Sequence, residues 1–422
     1  YHLIQGVDQV DFFSDDLASL LYPVSVADFF REYWGKKPLY IPRNSRDYYR
    51  KVYSSEDIDD FLRFSAPVQG WNEKVKMAIK FKMVSADVLF ERSQPGFDYR
   101  MIRKSQRAVS LIMNYIQEQN NRVARMAVAI EQALAGRIKG SVNVNAYLSP
   151  GKSYINPHVD AHDELNLQLE GTKRWRVYEP RIPDPYPGMP LDSGFDPVRK
   201  ALFISGATPC LEVVLQPGDF IYMPRGFWHD PVNTDSEPSL GLTVGVHPIC
   251  WLDTVMASAK AAAENSPALR QSLPVGLSSD SRGEQLLREG IGNFIAQGPE
   301  GNVVAAVAAN LRRDTPEHVD ALEKLYCPSP EDITALEPDS LLSRPEEIAW
   351  SLQKSYGLLT LMVGGREIGL RPELQAALEL IHDGGSFAPE ALPGEMSRQE
   401  KLHFCRFLLN FGALRFTPAR ER

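Results

Sequence analysis

The sequence predicts an α+β chain in three parts: a jelly-roll core, a helical module behind it, and a C-terminal winged-helix-like module. Three observations carry that reading. Between residues 140 and 250, short β-branched and aromatic runs alternate with tight-turn signals such as Glu170-Gly171 and Pro217-Gly218-Asp219. That is the pattern of an antiparallel jelly roll, whose mouth can hold a ligand. At Trp251 the apolar period becomes helical, through Leu252, Val255, Met256, Ala259, Ala262 and Ala263. From about residue 346, strands at Leu358–Val363 and Arg366–Leu370 precede helices at Pro372–His382 and Arg398–Asn410 and a last strand at Leu414–Phe416.

Residues 1–250 divide into a leader and the core. In the leader, residues 1–66, Ser25-Val26-Ala27-Asp28 starts a helix, and Phe29, Phe30, Tyr33 and Trp34 recur at the spacing of a packed helix face. Residues 67–116 hold strand-like stretches at Val75–Met83 and Ala108–Met113. The basic loop 100–107 between them reads as a solvated face or as a lip of the ligand mouth. Val123, Met126, Ala127, Ile130 and Leu134 trace one helix face that closes before Gly136.

The helical module, 251–345, stops first at Asn265-Ser266-Pro267 and resumes at roughly 283–296, 300–312 and 316–326, after a flexible loop at 278–283. Its Ala-rich helices have too little bulk for a core of their own, so a homodimer through this region is expected. The last module, 346–422, carries nine Lys and Arg against ten Asp and Glu. Phosphate binding needs clustered positive charge, so a protein-contact or structural role is expected here and direct DNA binding is not.

A chain of 422 residues is long enough for two or three domains. Its net charge of −8 speaks against a general nucleic-acid binder and is compatible with a basic peptide partner. No apolar run reaches the length of a membrane span, and no signal peptide is legible. Cys210, Cys250, Cys327 and Cys405 are scattered with no Cys-x-x-Cys, which reads as free thiols in a reducing cytoplasm.

The chemistry concentrates in His158, Asp160 and His229. The first two lie in Asn156-Pro157-His158-Val159-Asp160, the third in Pro224-Arg225-Gly226-Phe227-Trp228-His229. Two imidazoles and a carboxylate on one face of a metal leave positions open for a co-substrate and O₂, as in non-haem Fe(II) oxygenases. Residues i and i+2 of a strand point to one side, so His158 and Asp160 can share a metal. Lys173 follows just past the Glu170-Gly171 hairpin, where an ammonium can anchor a co-substrate carboxylate. His162 has the same strand parity as His158 and Asp160 and competes as third ligand, but three ligands from one strand enclose no pocket. His247 is a weaker pocket candidate, and His318, His382 and His403 read as ordinary surface or core histidines.

Three stretches resemble the JmjC-domain ribosomal oxygenases: Asn145-Ala146-Tyr147-Leu148-Ser149-Pro150, Pro157-His158-Val159-Asp160, and Leu167-Gln168-Leu169-Glu170-Gly171-Thr172-Lys173-Arg174-Trp175. So does Phe29-Phe30-Arg31-Glu32-Tyr33-Trp34-Gly35-Lys36-Lys37-Pro38-Leu39 near the start. The resemblance implies a cupin-type double-stranded β-helix with a helical dimerisation module. It implies a 2-oxoglutarate- and Fe(II)-dependent hydroxylase of Arg or His side chains in ribosomal proteins. By it, His158, Asp160 and His229 hold iron and Lys173 binds the 2-oxoglutarate carboxylate. Ser239 adds a hydrogen bond to that carboxylate, and Asn145 and Tyr147 sit on the strand leading into the pocket.

The chain departs from that family at Ala161-His162-Asp163-Glu164 and at Asn166, where an aliphatic residue is usual. These positions lie where a peptide would enter. Asp163 and Glu164 would attract a basic polypeptide, and His162 and Asn166 would select the target side chain by hydrogen bonding. Demethylation shares the iron step with hydroxylation, but no aromatic cage for methyl-lysine can be placed. A zinc or manganese cupin enzyme would also accept the ligand set, though it has no need of Lys173. A silent scaffold would have lost a ligand.

Overall fold

In the computed structural model, the described residues are 16–66, 74–79, 82–85, 109–155, 157–189, 206–265, 267–272, 327–355 and 358–417, with Gln285 and Arg288 besides. Contacts divide the chain into two compact units. The first comprises 1–133, 142–246 and 317–422, the second 134–141 and 247–316.

The first unit opens with helices α1 (Leu17–Leu21) and α2 (Val26–Glu32). The Ser25 hydroxyl caps α2 by accepting the Asp28 N–H at 3.0 Å. Strand β1 (Leu39–Ile41) and helix α3 (Ser55–Phe64) follow. Strands β2 (Val75–Ile79) and β3 (Lys82–Ser85) pair as a hairpin, Ile79 opposite Lys82. The single strand expected over Val75–Met83 is therefore two. The connecting Lys80-Phe81 contains no Gly, Asn, Asp or Pro, so the sequence carries no turn signal there.

Strand β4 (Val109–Met113) leads to helix α4 (Asn121–Ala133), which buries Val123, Met126, Ala127 and Ile130 as the period predicts. The barrel strands are β5 (Asn143–Ser149), β6 (Asp163–Glu170), β7 (Lys173–Tyr178), β8 (Leu211–Leu215), β9 (Phe220–Met223), β10 (Trp228–Val232) and β11 (Ser239–Val246). They form an antiparallel eight-stranded sheet ordered β1-β9-β6-β11-β5-β4-β2-β3 and a three-stranded sheet ordered β10-β7-β8. In the larger sheet Thr243 on β11 pairs with Asn166 on β6 on one side and Asn145 on β5 on the other.

Both anticipated turns form. Gly171 sits at φ +62 between β6 and β7, and a Cβ there would come within 2.1 Å of the Pro238 carbonyl oxygen. Gly218 sits at φ +93 between β8 and β9, facing the Ser45 carbonyl just as closely. Only glycine fits either place without moving backbone. Asp219 then ties this turn to the leader, accepting from the Arg43 N–H and the Tyr40 hydroxyl, each at 3.0 Å.

The leader aromatics split in role. Phe29 is fully buried and meets Tyr222 of β9 edge-on at 4.8 Å, while the half-buried Trp34 stacks on the same ring at 6.0 Å. Tyr33 only caps α2.

After the second unit the chain returns through α6 (Pro330–Thr334; α5 belongs to the second unit), β12 (Leu342–Ser343), β13 (Trp350–Ser355), β14 (Leu358–Val363) and β15 (Arg366–Leu370). Then come α7 (Gln375–His382), α8 (Arg398–Phe411) and β16 (Arg415–Phe416). The sequence placed these elements closely, but the segment is not set apart from the core. Arg406 of α8 bonds Asp60 at 2.7 Å and Glu56 at 2.6 Å, and Asn410 bonds Asp57 at 2.9 Å, all on α3.

The second unit contributes α5 (Trp251–Asn265), which ends where Asn265-Ser266-Pro267 predicts. Trp251, Leu252, Val255 and Met256 are exposed along it. The later helices expected at 283–326, the loops 100–107 and 278–283, and His318 lie outside the described residues, apart from Gln285 and Arg288. No described helix is long and apolar enough to cross a membrane.

Candidate metal centre

His229 is placed by β10, which pairs with β7 so that His229 faces Val177. His158 and Asp160 precede β6 instead of lying on it, so strand parity was the wrong warrant for joining them. The segment is held by backbone pairing: His158 N–H donates to the His229 carbonyl at 3.1 Å, and His229 N–H returns to the His158 carbonyl at 2.9 Å. The Asp160 carbonyl also accepts the Gly226 N–H at 2.9 Å, tying the segment to the turn before β10.

Three ligand atoms converge there. His158 Nε2 and His229 Nε2 are 2.9 Å apart, and Asp160 Oδ2 is 3.5 Å from the first and 3.4 Å from the second. Ligand atoms about 2.1 Å from a shared ion stand roughly 3.0 Å apart at a right angle and roughly 3.4 Å apart at the tetrahedral angle. The sides of the triangle, 2.9, 3.4 and 3.5 Å, fall within about 0.1 Å of those limits. Asp160 Oδ2 is buried and has no hydrogen-bond partner among the described residues, as an oxygen awaiting a cation would be.

The Phe227 carbonyl lies 3.1 Å from His229 Nδ1. It can accept the ring N–H there, which leaves Nε2 as the lone-pair donor toward the cluster. Burial pushes the His229 imidazole below its ordinary value, in favour of the neutral ligand form, against the pull of Asp160. Burial alone would raise the Asp160 carboxyl, but His158, His229 and His162 outweigh it and hold it low. The residues present therefore fit a divalent metal.

The cluster opens on a cavity of about 170 Å³ between the two sheets. Lys173 lines it, 5% exposed, with its Nζ 3.4 Å from Ser149 Oγ and 6.0 Å from the Tyr147 ring centre. Burial pulls the Lys173 ammonium down to about 8. Tyr147 also lines the cavity, and burial with Glu164 and Asp160 nearby raises its phenol. Apolar walls come from Ile112, Ile155, Leu167, Leu215 and Leu242.

Other expected site residues are placed differently. Ser239 is fully buried, and its Oγ accepts from Gln168 Nε2 at 2.9 Å. It is not among the residues lining the cavity, and Ser149 is the hydroxyl beside Lys173. Asn145 Oδ1 accepts the Tyr115 N–H at 3.2 Å, and its side chain also hydrogen-bonds the cavity-lining Tyr147. Asp163 is 0% exposed and turns away from the cavity, accepting from the Tyr222 hydroxyl at 2.5 Å and the Arg225 N–H at 3.1 Å. Successive strand residues face opposite sides, so Asp163 and Glu164 never act as one acidic pair.

Glu164 and Asn166 do line the cavity. Asn166 Nδ2 donates to Glu164 Oε2 at 3.1 Å, and the Thr243 hydroxyl donates to Asn166 Oδ1 at 2.5 Å. His162 Nε2 stands 3.7 Å from Glu164 Oε1, making Asp160, His162 and Glu164 a second possible ligand group that shares Asp160.

The sequence reading missed Ser149, Thr243 and Trp175. Ser149 could have been found, since it shares strand parity with Asn145 and Tyr147. Thr243 meets Asn166 only through the β6–β11 register. Trp175 lines the cavity and stacks on the His229 ring at 5.8 Å and 28°.

Residues 114–253 match the JmjC domain family. Among curated proteins, human ribosomal oxygenase 1 is 30% identical over 268 residues, covering 60% of this chain and 38% of that protein. Zebrafish (Danio rerio) ribosomal oxygenase 1 is 29% identical over 61% of this chain and 46% of that protein. The bifunctional lysine-specific demethylase and histidyl-hydroxylase NO66 of Dictyostelium discoideum is 28% identical over 55% and 42%. The matches thus span less than half the length of these relatives. Crystal structures of the Escherichia coli ribosomal oxygenase YcfD, one with cobalt and 2-oxoglutarate, align over 93% of this chain and 98% of theirs, at 15% and 17% identity and TM-scores of 0.41 and 0.40.

Proposed function

We propose, from the premise that this chain is a JmjC-domain protein related to the ribosomal oxygenases, that it is an Fe(II)- and 2-oxoglutarate-dependent protein hydroxylase. Its target is a side chain, Arg or His, of a basic polypeptide, and a ribosomal protein is the substrate class its relatives' names suggest. The observation that carries this reading is one cavity lined both by His158 and His229 of the metal triangle and by a buried Lys173 that meets no carboxylate among the described residues. A metal hydrolase or isomerase needs the first and has no use for the second.

The residues divide the work. His158 Nε2, Asp160 Oδ2 and His229 Nε2 would hold the metal and leave its remaining positions open. Lys173 would pair with the far carboxylate of 2-oxoglutarate, with the Ser149 hydroxyl and the Tyr147 side chain beside it. A buried ion pair is favourable only when its other lone pairs are also met, and the Ser149 and Tyr147 hydroxyls would serve them. Trp175 and the Phe227 carbonyl fix the His229 ring, and the aliphatic walls keep water from the reacting carbon. Together, the iron, 2-oxoglutarate and O₂ supply the oxidation: one oxygen atom goes to a substrate C–H, the other to succinate, with loss of CO₂.

The same reading assigns residues 251–345 to a homodimer and 346–422 to a structural or protein-contact role instead of DNA binding. The exposed stripe Trp251, Leu252, Val255 and Met256 supports the first. The acid-balanced composition of 346–422 and its ties to α3 support the second. The scattered free cysteines suit a reducing, cytoplasmic setting.

The experiment is direct. Ribosomal proteins from cells with and without this gene are compared by mass spectrometry. A side chain heavier by one oxygen only when the gene is present supports the reading. Identical spectra, together with no succinate formed from 2-oxoglutarate by the iron-loaded protein, would refute it.

A further inference from the structure

Glu164 is a charge without a fixed counter-charge. Its side chain is about nine-tenths buried and lines the cavity beside the metal triangle. Among the described residues its partners are the Asn166 amide, at 3.1 Å, and the His162 ring, at 3.7 Å. No described Lys or Arg reaches its carboxylate, and Lys173 meets Ser149 instead. Burying a carboxylate this way is costly unless something pairs with it. The position is also built: the Thr243 hydroxyl fixes the Asn166 amide, and that amide fixes Glu164 Oε2. His162 is held against the backbone, where a Cβ on Gly245 would come within 3.1 Å of its ring.

The cavity therefore holds two buried ionisable groups, Lys173 and Glu164, that no fixed opposite charge among the described Lys, Arg, Asp and Glu residues meets. Lys173 is the cation and suits the anionic co-substrate. Glu164 is the potential anion, and the neighbouring Asp160 would be taken up by the metal. A cationic guest is the group that would balance Glu164. Burial, and then the nearby Asp160, raise the Glu164 carboxyl, and an arriving cation would favour its ionised form.

We infer that Glu164, held by Asn166 and Thr243, is the specificity residue that pairs with a cationic substrate side chain, a guanidinium or ammonium, and so selects it over a neutral one such as imidazole. This rests on the hydroxylase reading above and narrows it from Arg or His to the cation. Asp163 takes no part, since it faces the other side of β6.

The test uses the full chain loaded with Mn(II) and 2-oxoglutarate, which binds without turning over. The probes are N-acetyl-argininamide and N-acetyl-citrullinamide, alike in shape and differing in charge. Paramagnetic relaxation of the probe side-chain protons reports their approach to the metal. In the parent, the arginine probe should bind at least about tenfold tighter than the citrulline probe. In Glu164→Gln, of nearly equal volume, that preference should vanish while Mn(II) binding stays normal. Glu164→Asp should retain part of it. Equal binding of the two probes to the parent, or an undiminished preference in Glu164→Gln, overturns the assignment and leaves the metal reading standing. Failure of the parent to bind Mn(II) brings down both.

Discussion

His158 and His229 exchange two backbone hydrogen bonds, at 3.1 and 2.9 Å, and their Nε2 atoms stand 2.9 Å apart. The metal triangle is thus positioned by main chain, and the imidazoles can be removed without dismantling what holds them.

His229→Ala should therefore fold, keep the His158–His229 backbone pairing, and lose metal-dependent 2-oxoglutarate turnover with or without substrate. Circular dichroism and succinate release check it. Near-normal succinate formation would take His229 out of the centre and reopen the Asp160–His162–Glu164 group.

Lys173→Ala should raise the Michaelis constant for 2-oxoglutarate by roughly thirty- to several-thousand-fold, with little change in metal affinity. Lys173→Arg is not expected to rescue, because a planar fork does not fit a place shaped for a point charge. Ser149→Ala should raise the same constant by a smaller factor, and Ser239→Ala should leave it alone. Reversal of the two serine results would return the carboxylate to Ser239.

The Lys173 ammonium also predicts a pH dependence. Its folded value, about 8, lies below the ordinary 10.5. Between those values the unfolded chain binds more protons, so stability rises with pH across that window. The cost of the buried charge is present in full below pH 8. Lys173→Met without co-substrate should then be the more stable protein at pH 7, by up to about 3 kcal/mol, and the two should converge toward pH 10.5. Binding of 2-oxoglutarate should weaken above pH 8, where the free lysine is neutral. Parallel stability curves for the two proteins would contradict this.

Asp163→Asn should cost stability, about 1–3 kcal/mol, through the Tyr222 and Arg225 contacts it weakens, with little effect on substrate preference. Thermal unfolding beside a peptide assay separates the two. Unchanged stability with a selective loss of peptide turnover would put Asp163 back in the substrate path.

Trp251→Glu with Val255→Asp should shift the protein from dimer to monomer at tens of micromolar, read by sedimentation. A parent that is already a monomer there removes the dimer proposal.

The metal triangle was legible because its residue types are few and their chemistry narrow. The strands and turns around it were legible from period and from Gly171 and Gly218. What stayed hidden depends on register and on contacts between sheets. That Thr243 meets Asn166 follows from which residues of β6 and β11 lie opposite, and that Ser149 reaches Lys173 follows from a contact between two different sheets; no local pattern states either. Asp163 and Glu164 were read together because they are adjacent, whereas a strand sends neighbours to opposite faces. The pairing of β2 with β3 has no turn residue in the sequence between them to announce it, and the C-terminal segment's ties to α3 are contacts more than 300 residues apart in sequence.

The stacking of Trp175 on His229 gives the protein a built-in optical gauge. An open-shell ion on that imidazole opens a non-radiative path for the excited indole, and a closed-shell ion such as zinc does not. Tryptophan emission from the parent, set against Trp175→Phe, should dim on titration with iron or cobalt and stay bright with zinc. Occupancy and electronic character of the centre then become readable in a cuvette, with no substrate in hand.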